Sequence, residues 1–169
     1  MPQIRTLDLT DDATAAAVHR IGRAAYAVEA ELIGFDGIPA LGESLAQMKA
    51  RPLNWVGAVA EDGEPAGFLA WEEGADGGIG IDRLCVDPDW FRRGVASLLL
   101  RHVLTELFPG RLVEVTTGAA NAPAVTLYER AGFTRGPDFS PVPGLTMASF
   151  GRAARDASCD GGRGSSDLA

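Results

Sequence analysis

The chain has 169 residues, 46% of them hydrophobic, with 15 basic against 23 acidic residues and a formal net charge of −8. That suffices for one domain with a proper core, and the negative balance repels nucleic acid and anionic membranes, since the scattered arginines form no basic patch. Lys49 is the single lysine and no Gly-Lys-Ser or Gly-Lys-Thr occurs, so a Walker-type phosphate loop is excluded, while Cys85 and Cys159 supply neither a disulfide framework nor a metal-ligand cluster.

Residues 3–9 alternate Ile4, Leu7 and Leu9 with polar neighbours, loosely enough for an edge strand. Thr10-Asp11-Asp12 carries N-cap chemistry for a helix running to about Val28, with Ala17, Ile21, Ala24 and Ala25 at helical spacing. His19 falls on its surface, with no partner in reach by sequence to make it catalytic. From Tyr26 to Pro39 aromatic, apolar and acidic residues mix before Gly34, Gly37 and Pro39, which predicts an irregular stretch of the kind that lines clefts. Residues 41–51 predict a short helix, with Leu45 and Met48 opposite Glu43, Gln47 and Lys49.

Residues 54–61 and 65–73 predict a hairpin about Glu61-Asp62-Gly63-Glu64, and Gly74-Ala75-Asp76-Gly77-Gly78 turns the chain into a strand over 79–86. With the first strand this makes four antiparallel strands. Next come a helix over 94–108, built on Val95, Leu98, Leu99, Val103, Leu104 and Leu107 and stopped by Pro109-Gly110, and a strand over 111–117. Strand, helix and strand in this order predict a right-handed parallel crossover. A helix over 122–131 follows, with Pro123 in its first turn and Gly132 beyond its end, then a strand opening at Phe133-Thr134 and a last one over 145–150 beside it.

Residues 1–150 are thus expected to form a single domain. The tail 151–169 contains Gly161-Gly162-Arg163-Gly164-Ser165-Ser166 and almost no large apolar residue, so disorder is expected there. No apolar run reaches the roughly 18 residues of a bilayer span and the first residues lack the apolar segment of a secretion signal, so a cytoplasmic location with no membrane partner is expected.

The chemistry concentrates where the strand over 79–86 feeds the helix at 94. A helix N-terminus leaves backbone N–H groups without partners and carries partial positive charge; Gly94 admits a ligand close to the backbone, Ala96 keeps the next position small, and Arg92 and Arg93 add cationic donors. This is an anion site, and phosphate suits it.

Two segments together resemble a family. Phe91-Arg92-Arg93-Gly94-Val95-Ala96 resembles the pyrophosphate-binding segment of the GNAT superfamily of N-acetyltransferases, and Asn121-Ala122-Pro123-Ala124-Val125-Thr126-Leu127-Tyr128-Glu129-Arg130-Ala131-Gly132-Phe133 is similar to its second signature, Asn-x-x-Ala-x-x-Leu-Tyr-x-x-x-Gly-Phe. One departure is that Phe91 stands where the family carries Gln or Arg, which removes a side-chain donor and leaves phosphate binding to the backbone amides from Arg92 to Ser97. The resemblance implies an α/β fold with a mixed central sheet, antiparallel in its N-terminal strands, with a parallel pair at the CoA site, flanked by helices. It also implies acetyl-CoA as co-substrate and an amine as acceptor, with no metal, and leaves a homodimer open.

The cofactor-binding residues it implies are Leu84, Cys85 and Val86 on the strand, Arg92, Arg93, Gly94, Val95, Ala96 and Ser97 at the turn, and Asn121, Ala124 and Tyr128 on the later helix. Tyr128 is implied as the acid that protonates the departing thiolate. For the base, Glu114 stands on the strand where some members carry a carboxylate; Asp82 and an ordered-water relay are the alternatives. Cys85, with no His near it in sequence, is read as a core residue rather than a nucleophile. Glu29, Glu31, Asp36 and Glu43 near the expected acceptor cleft suit a cationic amine. A non-catalytic acyl-CoA-binding regulatory module is the alternative function. A dinucleotide-binding oxidoreductase would need a Gly-rich turn after the first strand, which is missing.

Overall fold

The structure is a computed structural model and describes residues 1–153. The expected disorder of the tail falls outside these residues except at Gly151 and Arg152, which close the last strand. The strands are β1 (Gln3–Thr6), β2 (Asn54–Val59), β3 (Pro65–Glu73), β4 (Ile79–Val86), β5 (Val113–Gly118), β6 (Thr134–Arg135), β7 (Phe139–Val142) and β8 (Leu145–Arg152). The helices are α1 (Asp12–Ile33), α2 (Leu45–Lys49), α3 (Val95–His102) and α4 (Ala122–Arg130).

One sheet of eight strands runs in the order β1-β2-β3-β4-β5-β8-β6, with β7 also pairing to β8. All pairs are antiparallel except β4 with β5. The expected edge strand, hairpin and parallel crossover are present. The last strand pairs antiparallel beside β6 as expected and pairs with β5 as well, while β7, four exposed residues around a proline, had no apolar pattern to announce it.

Each face of the sheet buries its own core. On one face Val95, Leu99, Leu100 and Val103 pack with Leu69, Ile79, Val113, Tyr128, Phe133 and Phe150; on the other Ala15, Val18 and Ile21 of α1 and Met48 of α2 pack on Trp55, Phe68, Ala70 and Cys85. Fully buried side chains such as Ile21 and Leu99 contribute roughly 1.5–3 kcal/mol each.

Two helices depart from expectation. Helix α1 begins where Asp11 accepts from the Thr14 amide at 3.0 Å, and it continues past Val28 to Ile33. No residue between Tyr26 and Ile33 breaks a helix; the first that does is Gly34, whose φ of +66° makes it the left-handed C-cap. The irregular stretch is therefore only residues 34–38. Helix α2 is shortened because Ser44 and Gln47 form a capping box, which starts it at Leu45, while Pro39–Gly42 form a separate 3-10 turn. Helix α3 runs on as a π-turn over Val103–Leu107.

The positioning device is in β4. Opposite β3, Trp71 pairs with Ile81 and Ala70 with Arg83, so Asp82 is an extra residue and the strand bulges there. The Arg83 side chain, 6% exposed, donates to Glu43 at 2.8 Å and to Asp82 at 2.7 Å, and Asp82 also accepts from Arg51 at 3.1 Å. Burial works to lower the Arg83 pKa, but the hydrogen bonds to Glu43 and Asp82 outweigh it and hold the guanidinium charged. His19 donates from Nε2 to the Glu43 carbonyl at 2.8 Å, which ties the same segment to α1.

Removing Glu43 therefore leaves a buried guanidinium half-partnered. Glu43→Ala is expected to cost about 3 kcal/mol, read as a lower urea midpoint at unchanged slope. A loss below about 0.5 kcal/mol would mean that Asp82 alone suffices to hold Arg83.

Candidate active site

The bulge opens the sheet. Strands β4 and β5 pair only from Ile79↔Val113 to Ile81↔Val115, yet β4 continues to Val86 along β3 and β5 to Gly118 along β8. Beyond Ile81 the two strands part, and the inner edge of β4 over Leu84–Val86 has backbone donors and acceptors with no strand partner.

A groove of about 500 Å³ lies against this opening. Leu84 and Val86 form its floor, Trp90, Phe91, Arg92, Gly94, Val95, Ala96 and Ser97 one end, and Asn121, Ala124 and Tyr128 a wall. Cys85 and Arg93, expected at the site, do not line it. Cys85 pairs opposite Phe68 and turns into the α1-side core, where burial pushes its thiol up to about 12, so it stays protonated at neutral pH. The Arg93 guanidinium lies 4.9 Å from the centre of the Trp90 ring, a cation–π contact that draws it aside.

The turn into α3 is an amide cradle. Leu98 N donates to Gly94 O at 2.9 Å, so the amides of Val95, Ala96 and Ser97 have no intrahelical acceptor. Gly94 has φ +76° and nothing within 4 Å of where a Cβ would stand, which leaves its groove side open. Arg92 also takes a positive φ, 61°, rare for a residue with a side chain and costly by about 1 kcal/mol. Left-handed residues at Arg92 and again at Gly94 are the kind of backbone pattern that forms anion-binding amide nests.

Tyr128 stands on α4, whose N-cap Asn121 accepts from the Ala124 amide at 3.3 Å. Its ring packs 5.5 Å from both Phe133 and Phe150, and only 5% of the residue is exposed. Burial raises the phenol pKa, with smaller pushes from Cys85 and Glu29, so the hydroxyl stays protonated through neutral pH.

The opposite wall comes from Ala25, Val28, Glu29 and Leu32 of α1, so part of the stretch expected to line a cleft does so, as helix rather than as irregular chain. Their i, i+3, i+4, i+7 spacing was the available signal. Glu29 Oε1 lies 3.4 Å from both the Thr117 hydroxyl and the Gly118 amide. This approach exists because residue 118 is glycine: a Cβ there would come within 2.7 Å of Ile33. Of the other acidic residues, Glu43 and Asp82 are engaged by Arg83 and Arg51, and Glu31 and Asp36 face solvent. Glu114 is exposed on the α1 face of β5 and opens on a separate hollow with Thr116, Thr134 and Ser149, just before the strands part. Among the described residues no His, Cys, Asp and Glu cluster is placed to hold a metal ion, and no helix is long and apolar enough to cross a membrane.

An open sheet parted beside a helix N-terminus can receive a ligand that pairs along a strand and ends in a phosphate, and comparison with known proteins shows the family. Residues 18–133 match the acetyltransferase (GNAT) family, and the chain belongs to it. UPF0157 protein YqkA of Bacillus subtilis (strain 168) is 36% identical over 126 residues, which cover 75% of this chain and 36% of that protein. The chain's matches span about a third of the length of its curated relatives. Among solved structures, the ribosomal-protein-S18-alanine N-acetyltransferase of Escherichia coli superposes with a TM-score of 0.70 at 22% identity, over 95% of this chain and 98% of that one. The PaiA N-acetyltransferase of Thermoplasma acidophilum, solved with coenzyme A, gives 0.66 at 14% identity, over 88% and 98%. At these identities the two structures share the fold with this chain.

If the cradle holds a pyrophosphate, Gly94→Glu adds backbone strain, bulk and a like charge at its centre. Calorimetric titration with CoA is expected to show a loss of at least about tenfold in affinity with the fold retained. Unchanged affinity would remove the turn from the site.

Proposed function

We propose that this protein is an acetyl-CoA-dependent N-acetyltransferase acting on a primary amine. The observation that carries this is one groove in which the α3 amide cradle, the unpaired edge of β4 and a buried, protonated Tyr128 meet. The dimensions suit the ligand: an open cradle for the pyrophosphate, then a strand edge for an arm bearing amides, then a phenol. When bound, acetyl-CoA supplies an acetyl group activated as a thioester.

The protein's own part is to hold and move protons. The amides of Val95, Ala96 and Ser97 with Arg92 bind the pyrophosphate, and the Leu84–Val86 edge fixes the arm so that the reacting end lies in the strand opening. Tyr128 holds a proton at its hydroxyl for the departing sulfur. The acceptor amine enters from the α1 face, where Glu29 attracts it as ammonium and takes its proton. Glu114 faces the same side from the closed end of the opening. Short matches of 42% and 41% identity to relatives named as an N-acetyltransferase of the alanine of ribosomal protein bS18 and as an L-amino acid N-acetyltransferase support an α-amine as acceptor. A cytoplasmic location belongs to the same proposal.

Thiol release from acetyl-CoA across amino acids, polyamines and peptide N-termini tests the function. CoA release with at least one amine is expected; tight CoA binding with none would favour a regulatory acyl-CoA-binding module. On an accepted amine, Tyr128→Phe keeps the ring packing and should cut kcat by about 10- to 1,000-fold with CoA affinity unchanged; a change within about twofold, with chemistry limiting, would return the proton to water.

Glu29→Gln should lower kcat/KM for the amine by about 10- to 100-fold while Glu114→Gln stays within about threefold. The reverse order would move the base to Glu114.

A further inference from the structure

Beside the groove, between α3 and α4, lies a second hollow of about 440 Å³ whose charged lining is of one sign. Arg101 enters it from α3, Arg130 from the end of α4 and Arg152 from the end of β8, with the hydroxyls of Ser97 and Thr105 beside them. No acidic residue lines it, and among the described residues none of the three arginines has a carboxylate at ion-pair distance. In a chain of net charge −8, three guanidiniums without carboxylate partners around one hollow make a local positive patch that can receive an anion.

The hollow continues the groove: Ser97, Pro123 and Leu127 line both. A helix rises about 1.5 Å per residue, so Arg101 stands about 9 Å along α3 from Val95, within reach of a group attached one sugar away from a pyrophosphate in the cradle. Coenzyme A carries such a group. We propose that Arg101 and Arg130, with Arg152 behind them, bind the 3′-phosphate of coenzyme A and select it over nucleotides that lack that phosphate. This rests on the acyl-CoA function proposed above. A phosphomonoester holds close to two negative charges at neutral pH and three acceptor oxygens, which planar guanidinium forks match better than a single ammonium would.

Arg101 and Arg130 also sit in the last turns of their helices, where any cation complements the dipole. That role alone would affect stability and leave nucleotide preference untouched. The test is calorimetric titration of the full chain and of Arg101→Gln, Arg130→Gln and the double variant with CoA and with 3′-dephospho-CoA, alongside thermal melts without ligand. The parent should bind CoA about 10- to 100-fold more tightly than 3′-dephospho-CoA. The double variant should bring the two ligands within about threefold by weakening CoA alone, with 3′-dephospho-CoA unchanged within about twofold. Equal binding of both ligands by the parent, or a loss shared equally by both in the variants, overturns the assignment. If the parent binds neither ligand, the acyl-CoA function itself fails and this inference with it.

Discussion

The extra residue in β4 is the constraint on which the rest of the molecule depends. A sheet gains its stability by pairing every backbone group, and a ligand that binds along a strand needs some of them free. Asp82 resolves this conflict locally. It bends β4 after three paired residues with β5, so the outer strands stay fully laddered while a wedge opens in the middle of the sheet. The same insertion reverses the parity of the strand: Ile79 and Ile81 face the α3 side, Arg83 and Cys85 the α1 side, and Leu84 and Val86 the groove.

A wedge in a sheet invites closure, and two features oppose it. Arg83, Glu43, Asp82 and Arg51 pin the bulge to the segment before α2. On the far side α1 lies so close to β5 that a Cβ at residue 118 would meet the Ile33 side chain at 2.7 Å, and this brings Glu29 to the top of the opening. The groove is thus rigid on three sides, by a core-packed helix, an aromatic cluster around Tyr128 and a charge-fixed bulge. The strained Arg92 at the fourth is tolerable because Val95, Leu99 and Leu100 anchor the helix that follows.

What the sequence made legible was whatever depends on neighbours along the chain. β3 and β4 have their predicted ends, and the turn at Gly94 and the helix start at Ala122 with Pro123 in its first turn are local patterns with local causes. The end of α1 was misjudged because acidic and aromatic residues between Tyr26 and Ile33 look loop-like by composition, although their helical spacing puts one stripe on the groove and charge toward water. The side chains of Cys85 and Arg93 turn from the groove for a different reason. Their backbone positions were right, but side-chain direction depends on a bulge and on a neighbouring indole, and neither leaves a mark in the linear pattern. Glu29 and Glu114 show the same limit, since only the packing of α1 on β5 decides which carboxylate shares a cavity with Tyr128.

Net charge misleads in a related way. A chain of −8 looks hostile to a ligand carrying several phosphates, yet at physiological ionic strength charges separated by more than about 8 Å of solvent are largely screened from one another. Glu61, Asp62, Glu64, Glu72, Glu73 and Asp76 sit in and beside the sheet turns and do not line the groove, whereas the start of α3 and Arg92 do. The excess negative charge therefore acts mainly on long-range encounter, slowing the approach of an anion, and the local donors decide how tightly it is held. The same separation explains how an acidic wall can serve a cationic acceptor. Glu29 lies on the α1 face of the opening and the amide cradle at the α3 end, so the negative and the positive parts of the groove come from different elements.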